Sequence, residues 1–135
     1  MKFVPYLTFN GQAKEALEFY SEVFGAEIEA LQTFEAMPAA EDAPQPANLK
    51  HIMHGRIRIG DAVVMASDSF DGKSEAAYTG MSISAQIDDL ETAQRAFDRL
   101  AATGQVTMPF EATFWAKGFG LVRDKFGISW MVNCE

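Results

Sequence analysis

The chain has one cysteine, Cys134, in 135 residues, so no disulfide can close within it, as expected of a protein kept in a reducing compartment. No apolar run approaches the ~20 residues needed to cross a bilayer. The opening Met-Lys-Phe-Val-Pro-Tyr lacks the apolar segment and small-residue cleavage site of a signal peptide. The expected location is the cytoplasm, without a membrane anchor. Positive charge is scarce: 11 Lys and Arg stand against 19 Asp and Glu, a net charge of -8, and the basic residues are scattered along the chain. Such a surface repels nucleic acid and anionic lipid, and neither is an expected partner. Imidazole is scarcer still, limited to His51 and His54. What remains is 48% apolar and 22% charged, the composition of an ordinary globule whose length fits one domain.

Residues 3 to 9 suit a strand, and Asn10 stands where a helix cap is expected before Ala13 to Phe24. Ala16, Leu17, Tyr20 and Val23 fall at helical spacing there, and Gly25 follows as a stop. Residues 26 to 34 and 49 to 67 read as three further strands, with an Ala/Pro-rich loop from about Glu35 to Asn48 between the first and second. The order βαβββ then recurs. Ser82 to Ile87 alternates, Asp88-Asp89 can cap, Leu90, Ala93, Phe97 and Leu100 form a helical stripe ending at Gly104, and strands are expected near Val106, at Phe119 to Arg123 and at Ile128 to Asn133. An offset of 77 sets Pro5 on Ser82 and Tyr20 on Phe97, the mark of a tandem repeat. Module one covers about 1–68 and module two about 80–135, joined by a polar linker at about 69–79, within one domain of residues 1–135.

The stretch "HGRIRIGDAVVMASD", residues 54 to 68, reads as a hairpin turning at Gly60-Asp61. Ile59 then opposes Ala62, Ile57 opposes Val64, Arg56 opposes Met65 and His54 opposes Ser67. One face carries Ile57 and Val64, while the other gathers His54, Arg56, Met65 and Ser67. That second face mixes a guanidinium fork suited to a carboxylate or phosphonate with an imidazole able to shuttle a proton near neutral pH. The plainer readings are an ion pair for Arg56, a hydrogen-bonded structural role for His54, core packing for Met65 and Met131, and a loop cap for Asp68.

Two βαβββ modules, with "PYLTFNGQAKEALEFYSEVFG" at the start, "MASD" at 65 to 68 and "FWAKGFGLVRDKFGISWMVN" at 114 to 133, resemble the PhnB-like branch of the vicinal oxygen chelate superfamily, the fold of glyoxalase I and bleomycin-resistance proteins. The resemblance spans nearly the whole chain. It implies an α+β fold in which two tandem βαβββ modules form a curved, partly closed sheet around a cavity, and it implies that the protein is a homodimer. Some members of the branch carry a 3-demethylubiquinone methyltransferase label, but no glycine-rich nucleotide-binding turn follows a strand here.

Metal-using members place ligands at four slots, which the resemblance puts at Pro5, Met65, Ser82 and Met131. Proline has no donor, and a thioether suits a divalent first-row metal poorly, so no metal and no cofactor are expected. The cavity is expected to receive His54, Arg56, Met65 and Ser67 from module one, with Leu7 beside Pro5. Module two is expected to contribute Ser82, Ser84, Gln86, Ser129, Met131 and Asn133, with Trp115 as a wall, while Trp130 and Cys134 turn to the helix side. The leading functional expectation is a small-molecule-binding protein whose ligand is a small organic anion. The alternatives are a lyase-, isomerase- or dioxygenase-type enzyme using His54 and Arg56, and a regulatory or assembly partner with an exposed apolar patch.

Overall fold

The computed structural model of the chain describes residues 1–38, 41–73 and 78–135. It divides into two compact units, Met1–Ala76 and Ala77–Glu135. The central part of the expected linker, residues 74–77, lies outside the described residues, as do residues 39–40 of the loop after the second strand.

In the first unit, β1 (Tyr6–Phe9), α1 (Ala13–Phe24), β2 (Glu27–Thr33), β3 (Ile52–Ile59) and β4 (Ala62–Asp68) form a βαβββ module. Its sheet runs β1-β4-β3-β2, with β1 parallel to β4 and the other pairs antiparallel. The second unit repeats the plan with β5 (Ile83–Gln86), α2 (Leu90–Ala102), β6 (Gln105–Glu111), β7 (Gly118–Arg123) and β8 (Ser129–Cys134), in the sheet order β5-β8-β7-β6. The α+β class and both modules are as expected from the sequence.

Each helix covers one face of its own sheet. In α1 the buried residues are Ala13, Ala16, Leu17 and Tyr20, and in α2 they are Ala93, Ala96, Phe97 and Leu100, the same i, i+3, i+4, i+7 stripe. Glycines let the helices come close. A Cβ on Gly55 would collide with Leu17 Cδ1, and one on Gly120 would stand 2.7 Å from Phe97 Cε2. Gly55 and Gly120 therefore face the helices. The residues beside them in register share that face: Ala66 and Ile57 in module one, and Val132, Val122, Trp130 and Cys134 in module two. Trp130 and Cys134 are 4% and 0% exposed, so both turn to the helix side as expected.

Two expectations need correction. The constant offset of 77 does not hold, because Tyr6 and Met65 pair as Ser84 and Met131 do, offsets of 78 and 66, while the helix stripes Ala13 and Ala93 differ by 80. Connections of unequal length break a fixed spacing even when the elements repeat. Asn10 is not the helix cap either. Gln12 takes the N-cap position without a side-chain bond, Asn10 donates to the Gly72 carbonyl at 3.0 Å, and the buried Asp68 caps α1 from the end of β4 by accepting from Gly11 N at 2.7 Å and Ala13 N at 3.1 Å. In module two Asp89 caps α2 as expected, accepting from Thr92 N at 2.9 Å; the Thr92 hydroxyl and amide hold its carboxyl below the usual range.

Candidate functional site

The face of sheet one turned away from α1 is built by alternation. The turn at Gly60-Asp61, with Gly60 at φ 55°, sets Ile59 against Ala62, Ile57 against Val64 and Arg56 against Met65. His54, Arg56, Met65 and Ser67 accordingly share the open face and are all half-buried. Arg58 and Val63 lie in the same row.

β1 completes this face differently from expectation. Tyr6 stands beside Met65 and Thr8 beside Ser67, whereas Leu7 stands beside Ala66 on the helix side. Pro5 lies ahead of the strand, its carbonyl accepting from Met65 N at 3.0 Å. A one-residue shift in register moves every side chain to the other face, so Tyr6 and Thr8 replace Pro5 and Leu7 in the expected lining. The Tyr6 hydroxyl lies 3.2 Å from His54 Nδ1, and the rings stack at 5.9 Å. Among the described residues Nε2 of His54 makes no hydrogen bond.

Arg56 is not the lone charge of this face. Glu29, the extra residue of a bulge between Ile28 and Ala30 of β2, accepts from Arg56 Nε at 2.8 Å and from Arg58 Nε at 3.0 and 3.1 Å. Arg58 and then Arg56 hold the Glu29 carboxyl below its usual range. The plainer reading of Arg56 as a member of an ion pair is therefore the one this face shows, with Glu29 as the carboxylate. The bulge explains why the sequence conceals it: an extra residue interrupts the period of two that assigns faces. Both arginines are engaged through Nε, and their terminal amino groups make no hydrogen bond among the described residues. Two guanidiniums on one carboxylate leave a net charge of +1.

Sheet two has a cleft of about 210 Å³ on its open side, lined by Ser82, Gln105, Thr107, Leu121, Arg123, Ser129 and Met131, with the Val122 and Trp130 strands as its base. Ser84 and Asn133 share the open face but lie off the cleft. Asn133 is 6% exposed, donates to Gln86 Oε1 at 2.7 Å, and leaves its Oδ1 without a partner among the described residues. Trp115 also lies away from the cleft, packing edge-on against Phe119 at 5.4 Å and Phe114 at 4.8 Å. Sequence reasoning missed Tyr6, Arg58, Glu29, Gln105, Thr107 and Arg123. Arg58 was recoverable, since it alternates with Arg56; the two bulge residues were not.

The profile of the 3-demethylubiquinone-9 3-methyltransferase family matches residues 1–133. The chain belongs to this family. It is 40% identical to protein PA1353 of Pseudomonas aeruginosa, whose crystal structure superimposes with a TM-score of 0.87 over 100% of this chain and 98% of that one. It is 36% identical to protein YjdN of Escherichia coli K12 over 98% of this chain and 95% of that protein. The PhnB protein from Bacillus cereus is 26% identical with a TM-score of 0.80, covering both chains fully at 100%. A glyoxylase/bleomycin resistance protein/dioxygenase domain from Frankia shares the fold, with a TM-score of 0.67 at 13% identity over 99% of this chain and 96% of that one. This is a PhnB-like protein with the fold of glyoxalase/bleomycin-resistance/dioxygenase domains.

The resemblance put metal-ligand slots at Pro5, Met65, Ser82 and Met131; in this PhnB-like chain the residues beside Met65 and Met131 in register on the open faces are Tyr6 and Ser84. A phenol, a hydroxyl and two thioethers do not fit a divalent first-row metal, which prefers imidazole, carboxylate or thiolate. Among the described residues no three of His, Cys, Asp and Glu come together.

Proposed function

We propose that this PhnB-like protein binds a small organic anion on the open face of its first sheet, without a metal. The observation that carries this reading is the Arg56–Arg58–Glu29 cluster, a half-exposed group of net charge +1 whose terminal guanidinium N–H groups remain to donate. A chain of charge -8 repels an anion at long range, and a local fork is the device that overcomes this at contact. Met65 and Val63 supply apolar surface beside it, and Ser67, Thr8, Tyr6 and His54 supply neutral polar groups.

The family's descriptive name suggests methyl transfer. Each sheet here is a mixed βαβββ array with one parallel pair, unlike the repeated parallel βαβα units of a typical methyl-donor-binding domain, and binding is the reading we adopt. The second reading, a lyase-, isomerase- or dioxygenase-type enzyme using His54 and Arg56, is favoured by the Tyr6–His54 hydrogen bond, which orients an imidazole next to the guanidiniums.

A calorimetric screen of small organic anions against their neutral analogues tests the proposal. Anions should bind, and Arg56→Gln or Arg58→Gln should weaken them about ten- to a hundredfold, the worth of one charge-assisted hydrogen bond. Elemental analysis of the same sample should find no stoichiometric zinc, nickel, iron or manganese. Neutral aromatic compounds binding best, with neither substitution mattering, would reject the reading. Consumption of a bound anion, lost in His54→Ala, would select the enzyme.

We also propose a cytoplasmic homodimer. No helix among the described residues is long and apolar enough to cross a membrane, and Val106 and Met108 on edge strand β6 are 42% and 41% exposed, an apolar edge suited to covering by a second copy. Light scattering should give twice 14.9 kDa; the monomer mass at micromolar concentration would refute it.

A further inference from the structure

The two modules differ at the bulge of the strand pairs β2–β3 and β6–β7. In module one Arg58 opposes Glu27, Ile57 opposes Ile28, and the bulge residue that follows is Glu29. In module two Arg123 opposes Gln105, Val122 opposes Val106, and the bulge residue that follows is Thr107. Arg123 is therefore the counterpart of Arg58, and Thr107 the counterpart of Glu29. The carboxylate that engages the arginine in module one is absent from module two, and the cleft of about 210 Å³ opens beside Arg123 and Thr107.

We propose that this cleft binds the carboxylate of a small hydroxy acid against Arg123, in the place that Glu29 fills in module one. The guanidinium carries five N–H donors; one donation, to the Tyr78 carbonyl at 3.3 Å, ties it back, and among the described residues it has no carboxylate partner. Ser82, Ser129 and Thr107 add hydroxyls and Gln105 an amide, so the cleft can also grip a ligand hydroxyl. Leu121 and Met131 give it an apolar wall. Its volume lies below the ~300 to 1,000 Å³ typical of drug-sized ligands, which suits a guest of a few carbons. This site stands independently of the Arg56–Arg58 reading, being made of other residues in the other module.

The probe is 2-hydroxybutyrate, which combines carboxylate, hydroxyl and a short alkyl group, and its control is the uncharged 2-hydroxybutyramide. Both are titrated into the ¹⁵N-labelled full chain. The acid should give saturable shifts at the Ser82, Thr107, Leu121 and Ser129 amides, and the amide analogue should bind at least about tenfold more weakly. Arg123→Gln should weaken the acid by about tenfold or more. Thr107→Glu should abolish its binding by installing the internal carboxylate of module one, and because residue 107 is exposed on an edge strand the fold should be kept, as the unchanged remainder of the spectrum would report. Lys14→Gln, on the exposed face of α1, should leave these shifts unaltered. Equal affinity for acid and amide, wild-type affinity in a folded Thr107→Glu chain, or no saturable shift at these amides would overturn the proposal.

Discussion

Asp124→Ala is expected to remove about 3 to 5 kcal/mol of stability, a large share of the ~5 to 15 kcal/mol typical of a folded domain. Asp124 is 3% exposed and sits in the β7–β8 turn. Its Oδ1 accepts from Phe126 N at 2.8 Å and Ile128 N at 3.0 Å, and its Oδ2 accepts from Trp130 Nε1 at 2.9 Å. Removing the carboxylate orphans buried donors, each costing about 1 to 3 kcal/mol. The string "RDKFGISW" at 123 to 130 thus owes its specificity to a turn closed by one carboxylate, with Gly127 at φ 85° completing it. Asp124→Asn should be intermediate, since Oδ1 can still accept while an amide nitrogen faces the indole N–H. Trp130→Phe removes the conflicting donor, so the double variant Asp124→Asn, Trp130→Phe should lose less than the sum of the two single losses. Urea denaturation checks all of these; additive losses would show that Oδ2 and the indole do not act as a pair.

The elements of this fold were legible because each has a local chemical cause. The hairpin pairing from Ile59–Ala62 to Arg56–Met65 followed from a Gly-Asp turn and strict alternation, and α1 was bounded by its apolar stripe and by Gly25, a left-handed C-cap at φ 70°. The candidate site was only partly legible. His54, Arg56, Met65 and Ser67 were placed together correctly because they lie within one hairpin. The partner strand β1 was placed one residue out of register, which exchanged Tyr6 for Pro5 and Leu7. Glu29 and Thr107 escaped because a bulge residue has no assigned face in a period of two. Ser84, Trp115 and Asn133 face the open side or its margin without joining the cleft, since facing one side of a sheet does not specify the position along it.

Asp68→Ala in module one should also cost about 3 to 5 kcal/mol, because this buried carboxylate likewise serves three donors. Oδ1 accepts from Gly11 N and Ala13 N at the start of α1, and Oδ2 accepts from Ile52 N at the start of β3, at 2.8 Å. One side chain thereby ties the end of β4 to α1 and to β3, and it caps a helix whose own N-cap, Gln12, makes no capping bond. The equivalent position in module two is Cys134, whose thiol reaches only the Asp88 carbonyl at 3.5 Å, and there Asp89 caps α2 directly. Module one has thus placed its cap on a distant strand, so losing Asp68 should loosen the β1–α1 junction as well as the helix end. Hydrogen exchange should accelerate at Gly11, Ala13 and Ile52 and through α1, with α2 much less affected. Asp68→Asn should fall between wild type and alanine, since its Oδ1 keeps the helix donors while its amide nitrogen opposes Ile52 N–H. Equal exchange in both helices, or protection at Gly11 and Ile52 unchanged from wild type, would show that Asp68 is not the tie.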